Sequence, residues 1–143
     1  MKESVCLTRG FALAIVLGAL SAGAAQAQFY GARVTLPYEV RWSGAILPAG
    51  EYRLAMDSID RPMSVIDASG RVRVIVLGIS DDPTRTQPNS LLISRDGAQR
   101  TVRSLNLPAW NRKFVFKPFT RAERSLLASG ERTEAVPVRR ASR

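Results

Sequence analysis

Carboxylate side chains are the main candidates for acid–base or metal chemistry in this chain. Asp81 and Asp82 are adjacent and precede Pro83, while Asp57 and Asp60 flank another turn. A pair of carboxylates can share general acid–base work or bind Ca²⁺ through its oxygens. Adjacent aspartates before proline are more typical of turns, in which the carboxylate accepts hydrogen bonds from its own backbone. The pattern therefore favours a turn role for both pairs.

The residue inventory excludes most other catalytic centres. The chain has 143 residues, no histidine and one cysteine, Cys6. Ser-His-Asp triads and most thiol chemistry are therefore excluded, and zinc, copper and haem sites lose their usual ligands. No serine lies three residues before Lys113 or Lys117, and no glycine-rich phosphate loop or dinucleotide fingerprint is present. We expect a protein that is not an enzyme and has no metal or other cofactor.

Aromatic residues on the predicted strands offer one kind of binding site. Tyr38, Tyr52, Phe114 and Phe116 would line a cavity if the fold enclosed one, as some small β-barrels do. The alternative is that these rings simply form the hydrophobic core, which is the usual role of aromatics in a small domain.

Basic residues offer a second kind of binding site. The net charge is +9, and arginine supplies nearly all of the positive charge. Arg71, Arg73, Arg95, Arg100 and Arg103 fall on three strands that we expect to be neighbours, which would gather them into one patch. Such a patch attracts polyanions. The alternative is that these charges keep the protein soluble and protect strand edges.

The first 27 residues have the order of a secretory signal peptide. Lys2 and Arg9 precede an apolar run at residues 11–20, and the segment ends in the small residues Ala25 and Ala27. The run is shorter than the roughly 20 residues that cross a bilayer, which favours a cleaved signal over an anchor. We expect cleavage after Ala27 and export to the periplasm or medium. The remaining chain has no cysteine for disulfides and no segment that spans a membrane.

Alternation of apolar and polar residues predicts short β-strands over most of residues 28–138. Residues 34–42 alternate strictly, and Pro37 within them predicts an edge strand or a bulge, because proline cannot donate to a ladder. Residues 71–79 become apolar on both faces, which predicts a strand that turns central. Residues 67–70 and 96–99 have the composition of hairpin turns. Seven or eight such strands predict an all-β domain, either an antiparallel β-sandwich or a small barrel.

The periodicity changes near the C-terminus. Thr120 and Glu123 have the spacing of a capping box, which predicts one short helix near residues 120–128 that Gly130 ends. A last short strand is predicted at residues 134–138, followed by a frayed basic tail at residues 139–143.

Three short motifs lie towards the two ends of the chain that we expect to remain after cleavage. They read V-T-L-P-Y-E-V at residues 34–40, L-P-A-G-E-Y at residues 47–52 and T-R-A-E-R-S-L at residues 120–126. Together they resemble an uncharacterised family of small bacterial secreted β-rich proteins, a domain of unknown function with V-x-V/L-P-F/Y and L-P-A-G-x-Y motifs. These motifs form strands and turns, so the resemblance implies a secreted β fold and carries no activity or catalytic residue.

Three hypotheses for the function follow from these patterns. The first is an exported, non-enzymatic β domain that acts through contacts with proteins or the cell envelope. The second is a carrier of a small apolar ligand, held in a cavity of the sandwich or barrel. The third is a binder of polyanions, such as lipopolysaccharide, anionic lipid or glycan, through the arginine patch. We favour the first, with envelope proteins or anionic surface polymers as candidate partners and no nucleic acid expected.

Overall fold

The computed structural model describes residues 30–128 and 133–141. The predicted signal segment and Gly130 lie outside these residues. Within them, the strands are β1 (Tyr30–Leu36), β2 (Val40–Trp42), β3 (Ala45–Leu47), β4 (Gly50–Met56), β5 (Met63–Asp67), β6 (Val72–Val76), β7 (Ile79–Asp81), β8 (Ser90–Asp96), β9 (Gln99–Leu107), β10 (Arg112–Val115) and β11 (Thr133–Arg140). A 3₁₀ turn, η1 (Pro108–Trp110), and one helix, α1 (Arg121–Ala128), complete the described elements.

The strands form one strongly curved sheet in the order β3-β2-β9-β8-β11-β1-β4-β5-β6, with β10 and β7 added beside β9. The end strands β3 and β6 approach each other, so the sheet is nearly closed and barrel-like. Among the described strands, only β2 and β9 pair in parallel, at Arg41 and Thr101. The predicted all-β class with one short C-terminal helix is confirmed. The seam between β3 and β6 is the place where the barrel does not close.

Two predicted strands are each divided in the structure, and β3 is an additional strand, so there are more strands than expected. Pro37 ends β1, and the chain bends before β2 starts at Val40, because proline offers no N–H to continue the ladder. β1 itself is central, between β11 and β4. Leu77 and Gly78 separate β6 from β7. The expectation that residues 71–79 turn central is wrong, since β6 is an end strand of the sheet.

Alternation along the strands produces the core. Val34 and Leu36 of β1, and Val40 and Trp42 of β2, are all buried, as the period of two predicts. Tyr52, Leu54 and Met56 of β4 are buried in the same way. The predicted hairpin at residues 96–99 is also confirmed, because Asp96 pairs with Gln99 at the β8–β9 turn.

The C-terminal part of the chain contains the predicted helix and a last strand that joins the sheet. The capping box is confirmed: the Thr120 hydroxyl accepts from the Glu123 amide at 3.2 Å, and Glu123 accepts from the Thr120 amide at 2.7 Å. β11 pairs with β8 through its first half and with β1 through its second half. Arg139 and Arg140 are therefore strand residues rather than the start of a frayed tail, because β1 offers them a partner edge.

Candidate functional site

The five arginines predicted to form a patch do not come together. Arg71 and Arg73 lie at the β6 end of the sheet, whereas Arg95, Arg100 and Arg103 lie on the β8–β9 hairpin. Four strands, β11, β1, β4 and β5, separate β8 from β6 in the sheet. Strands adjacent in sequence are often neighbours in space, and the prediction relied on that tendency. Here β6 and β8 are not neighbours, so no five-arginine patch forms, and the structure brings only Arg95 and Arg100 of this set directly opposite each other.

Arg103 has a structural role inside the protein. It is buried, and its Nε donates to the Ser94 hydroxyl at 2.6 Å. Its Nη2 donates to Oε1 of Glu123 at 2.6 Å, and the guanidinium lies 4.6 Å from the centre of the Phe119 ring. The bond from the Thr120 amide and the Arg103 guanidinium together lower the pKa of Glu123 to about 2. These contacts fasten α1 to the outside of β8 and β9.

Arg100 covers an aromatic ring rather than facing an open patch. Its guanidinium carbon lies 4.0 Å from the centre of the Tyr38 ring, which is a cation–π distance. The Tyr38 hydroxyl donates to the Glu134 carboxylate. Partial burial and this hydrogen bond raise the pKa of Tyr38 to about 12. The cluster connects the β1–β2 bend to β9 and β11.

The four aromatics predicted to line a cavity divide between the core and a small cleft. Tyr52 is buried, and its hydroxyl donates to the Pro48 carbonyl at 2.8 Å. Phe114 and Phe116 line a cleft of about 180 Å³, whose lining includes neither Tyr38 nor Tyr52. A Cβ on Gly78 would lie 2.8 Å from the Cβ of Phe114 and 3.0 Å from the Phe116 ring, so glycine is needed where the β6–β7 link passes these two side chains.

Of the four candidate carboxylates, Asp81 shows a local bond to the backbone, and it is the last residue of β7 rather than a turn residue. Asp81 accepts a hydrogen bond from the Asp82 amide at 2.8 Å, which is the local bonding that the sequence favoured. In the described part of the chain, no group of three or more Cys, Asp or Glu residues could hold a metal ion.

The structure aligns a different set of arginines across neighbouring strands. Arg33 of β1 is directly opposite Arg139 of β11 on one side and Arg53 of β4 on the other. All three are exposed. Residues directly opposite each other in antiparallel strands have Cβ atoms about 4.5–5.5 Å apart, so the three guanidinium groups share one outer face. We refer to Arg33, Arg53 and Arg139 as the arginine row.

One carboxylate interrupts this positive surface. Oε1 of Glu51 lies 3.6 Å from Nη1 of Arg33, and both side chains are more than half exposed. Among the described residues, the row has no other ion pair. A depression of about 540 Å³ next to Arg33 is lined also by Arg139 and Arg140. A second depression, of about 410 Å³, is lined by Arg33 and Arg53. Arg33 and Glu51 line both depressions, and each depression contains at least two arginines.

Sequence patterns identified only part of this site. The alternation of β4 places Arg53 on the face opposite Tyr52, which indicates an outward side chain. Arg33 precedes the first strictly alternating segment, and Arg139 falls in the predicted tail. The pairing of β1 with both β4 and β11 decides that the three residues align, and no local pattern encodes that pairing.

Comparison with known proteins finds no match to a family model, a curated protein or a solved structure. Across residues 30–128 and 133–141, none of the helices has the length and apolar character needed to cross a membrane.

Proposed function

We propose that this protein is an exported, non-enzymatic β domain that binds anionic groups of the cell envelope through the arginine row. The observation that carries the proposal is the direct cross-strand alignment of Arg139, Arg33 and Arg53 on three adjacent strands. Like charges placed directly opposite each other destabilise a sheet. An arrangement of this kind is expected where a ligand supplies the opposite charge.

The chemistry of the row suits phosphate, sulfate or carboxylate groups. Guanidinium groups bind such anions through paired hydrogen bonds, and they lose less hydration than ammonium groups when they do so. The depressions beside Arg33 could each admit one anionic group next to an arginine, although Glu51 also lines both of them. The net charge of +9 would bring such a polymer towards the protein.

The geometry gives less support to a carrier of a small apolar ligand. The cleft beside Phe114 and Phe116 has a volume of about 180 Å³, below the roughly 300–1,000 Å³ of ordinary ligand pockets. The Tyr52 side chain is buried in the core, so it is not open to a ligand. The arginine row is therefore the better candidate site.

Binding to a labelled heparin fragment, a soluble sulfated glycan, tests the proposal. We expect affinity to fall steeply with salt, and Arg53→Gln to lower the slope of log affinity against log salt by about one. Arg124→Gln is the matched control, because it removes an equal charge from α1, which docks on β8 and β9. The proposal fails if both variants weaken binding equally, or if the wild-type protein does not bind.

A further inference from the structure

Exposed aliphatic side chains gather at the seam of the barrel. Six large hydrophobic residues are exposed in the described part of the chain, and five of them lie on β3, β6, β7 or the β6–β7 link. Leu77 is 71% exposed, Ile79 68% and Ile75 63%. We call these five residues the seam aliphatics: Ile46, Val72, Ile75, Leu77 and Ile79. Clustered exposed hydrophobic residues indicate an interaction surface, whereas isolated ones do not.

The seam aliphatics begin, at Val72, on the same outer surface as the Arg53 end of the arginine row. Arg53 is directly opposite Ile66 of β5, and Ile66 is directly opposite Val72 of β6. Adjacent strands are about 4.8 Å apart, so the face changes from arginine to aliphatic within about 10 Å. The outer surface is therefore amphipathic near Arg53, with cations on β4 and aliphatic groups on β5 and β6 beside Arg73, whereas the curvature of the barrel turns β1 and β11 away from β6.

A second copy of the protein fits this surface poorly. The pairing of β5 with β6 contains a bulge at Val65 and Ile66, and Arg73 stands on the end strand. Bulges and charged side chains on an end strand oppose pairing with another strand. The face to be covered is also positively charged, so two copies would repel each other.

We propose that this amphipathic face docks on the surface of an anionic lipid bilayer, a partner that matches both of its halves. In this arrangement the Arg53 end of the arginine row contacts the lipid phosphates, and Ile75, Leu77 and Ile79 enter the boundary between headgroups and acyl chains. Interfacial binding of this kind combines buried apolar area with attraction to anionic lipids. The proposal rests on the anion binding proposed above and names the anionic partner. A soluble glycan would leave the aliphatic half of the face uncovered.

Sedimentation with lipid vesicles tests this inference. Phosphatidylcholine vesicles with and without phosphatidylglycerol are compared at about 0.1 M salt, where charges act over roughly 10 Å. We expect the wild-type protein to bind only the phosphatidylglycerol vesicles. The double variant Leu77→Ser/Ile79→Ser should bind them about tenfold more weakly, because it loses aliphatic area that would leave water. Both positions are exposed, so the variant should fold normally.

The controls separate this inference from the proposed function. Leu126→Ser removes an exposed leucine from α1 and should bind vesicles as the wild-type protein does. The double variant should keep wild-type affinity for heparin, which isolates the aliphatic contribution. If the wild-type protein binds heparin but not vesicles, the bilayer proposal alone is overturned. The same holds if the double variant binds vesicles as tightly as the wild-type protein does. A wild-type dimer that the double variant dissociates would assign the seam aliphatics to self-association and overturn it as well. Loss of both heparin and vesicle binding by the wild-type protein would overturn the proposed function too.

Discussion

Arg33 and Arg53 stand directly opposite each other across the β1–β4 pair, on the outer face of the barrel. Arg139 faces Arg33 from the other side. Glu51 compensates part of this charge, at 3.6 Å from Arg33, but exposed ion pairs contribute little because water and salt screen them. The guanidinium groups of the arginine row therefore repel one another. A neutral residue in place of one of these arginines would reduce that repulsion. That local cost is the physical reason for assigning a binding role to this face.

Replacing Arg53 with threonine should stabilise the protein. The change removes one like-charge pair and introduces a residue that favours strands, so we expect a gain of about 0.5 kcal/mol in the free energy of unfolding. Urea unfolding followed by circular dichroism measures this gain, which should shrink at high salt as charges are screened. Arg53→Lys keeps the charge and should show no gain. A loss of stability in Arg53→Thr would mean that the arginine makes favourable contacts in the free protein.

The contact between Glu123 and Arg103 should make the docking of α1 sensitive to acid. The pKa of Glu123 is about 2 in the folded protein, below its ordinary value of 4.5, so the carboxylate favours the folded state at neutral pH. This contribution is lost as the pH falls from about 4.5 towards 2. Glu123→Gln should therefore be less stable than the wild-type protein at pH 7 and equally stable near pH 2.

Thermal unfolding across this pH range provides the measurement for Glu123. Asp57→Asn is the control, because it neutralises an exposed carboxylate that lies just after β4. A difference between Glu123→Gln and the wild-type protein that does not change with pH would show that the carboxylate charge is not what fastens the helix.

Trp42 should tolerate phenylalanine better than alanine. The indole is completely buried and packs edge-to-face on Phe116, with ring centres 5.2 Å apart. Its N–H makes no hydrogen bond to a described residue, and an unpaired buried donor destabilises a fold. Trp42→Phe keeps an aromatic ring and removes that donor, so it should cost about 1 kcal/mol, whereas Trp42→Ala should cost about 3–5 kcal/mol. Equal losses in urea unfolding would contradict this account of the indole.

Export should remove the first 27 residues. Intact-mass spectrometry of protein from the periplasm or medium of an expressing bacterium should give a chain that begins at Gln28. Ala27→Leu should slow processing, because a large residue replaces the small one that the cleavage site requires. Ala68→Leu, which makes the same change at an exposed position after the cleavage point, serves as the control. Full-length protein retained in the cytoplasm would contradict the export part of the proposal.

Local patterns predicted much of the fold correctly. The alternation around Val34 and Leu54 identified buried faces, and the spacing of Thr120 and Glu123 identified the start of α1. These features depend on residues within a few positions of each other, so the local sequence is enough to predict them. Arg103 shows the limit, since its partners Ser94 and Glu123 are brought together by the hairpin and by the docked helix.

The sequence by itself determined the class of fold, the positions of the turns and the helix cap, and the lack of histidine and cysteine chemistry beyond Cys6. These follow from residue type and short-range spacing. Only the tertiary structure decided that Arg33, Arg53 and Arg139 share one face and that the aliphatic residues of β6 lie beside a seam. The physical reason is that strand pairing depends on how the whole sheet closes around its core. A strand encodes which side faces outward, but its neighbours are chosen by the packing of the complete domain.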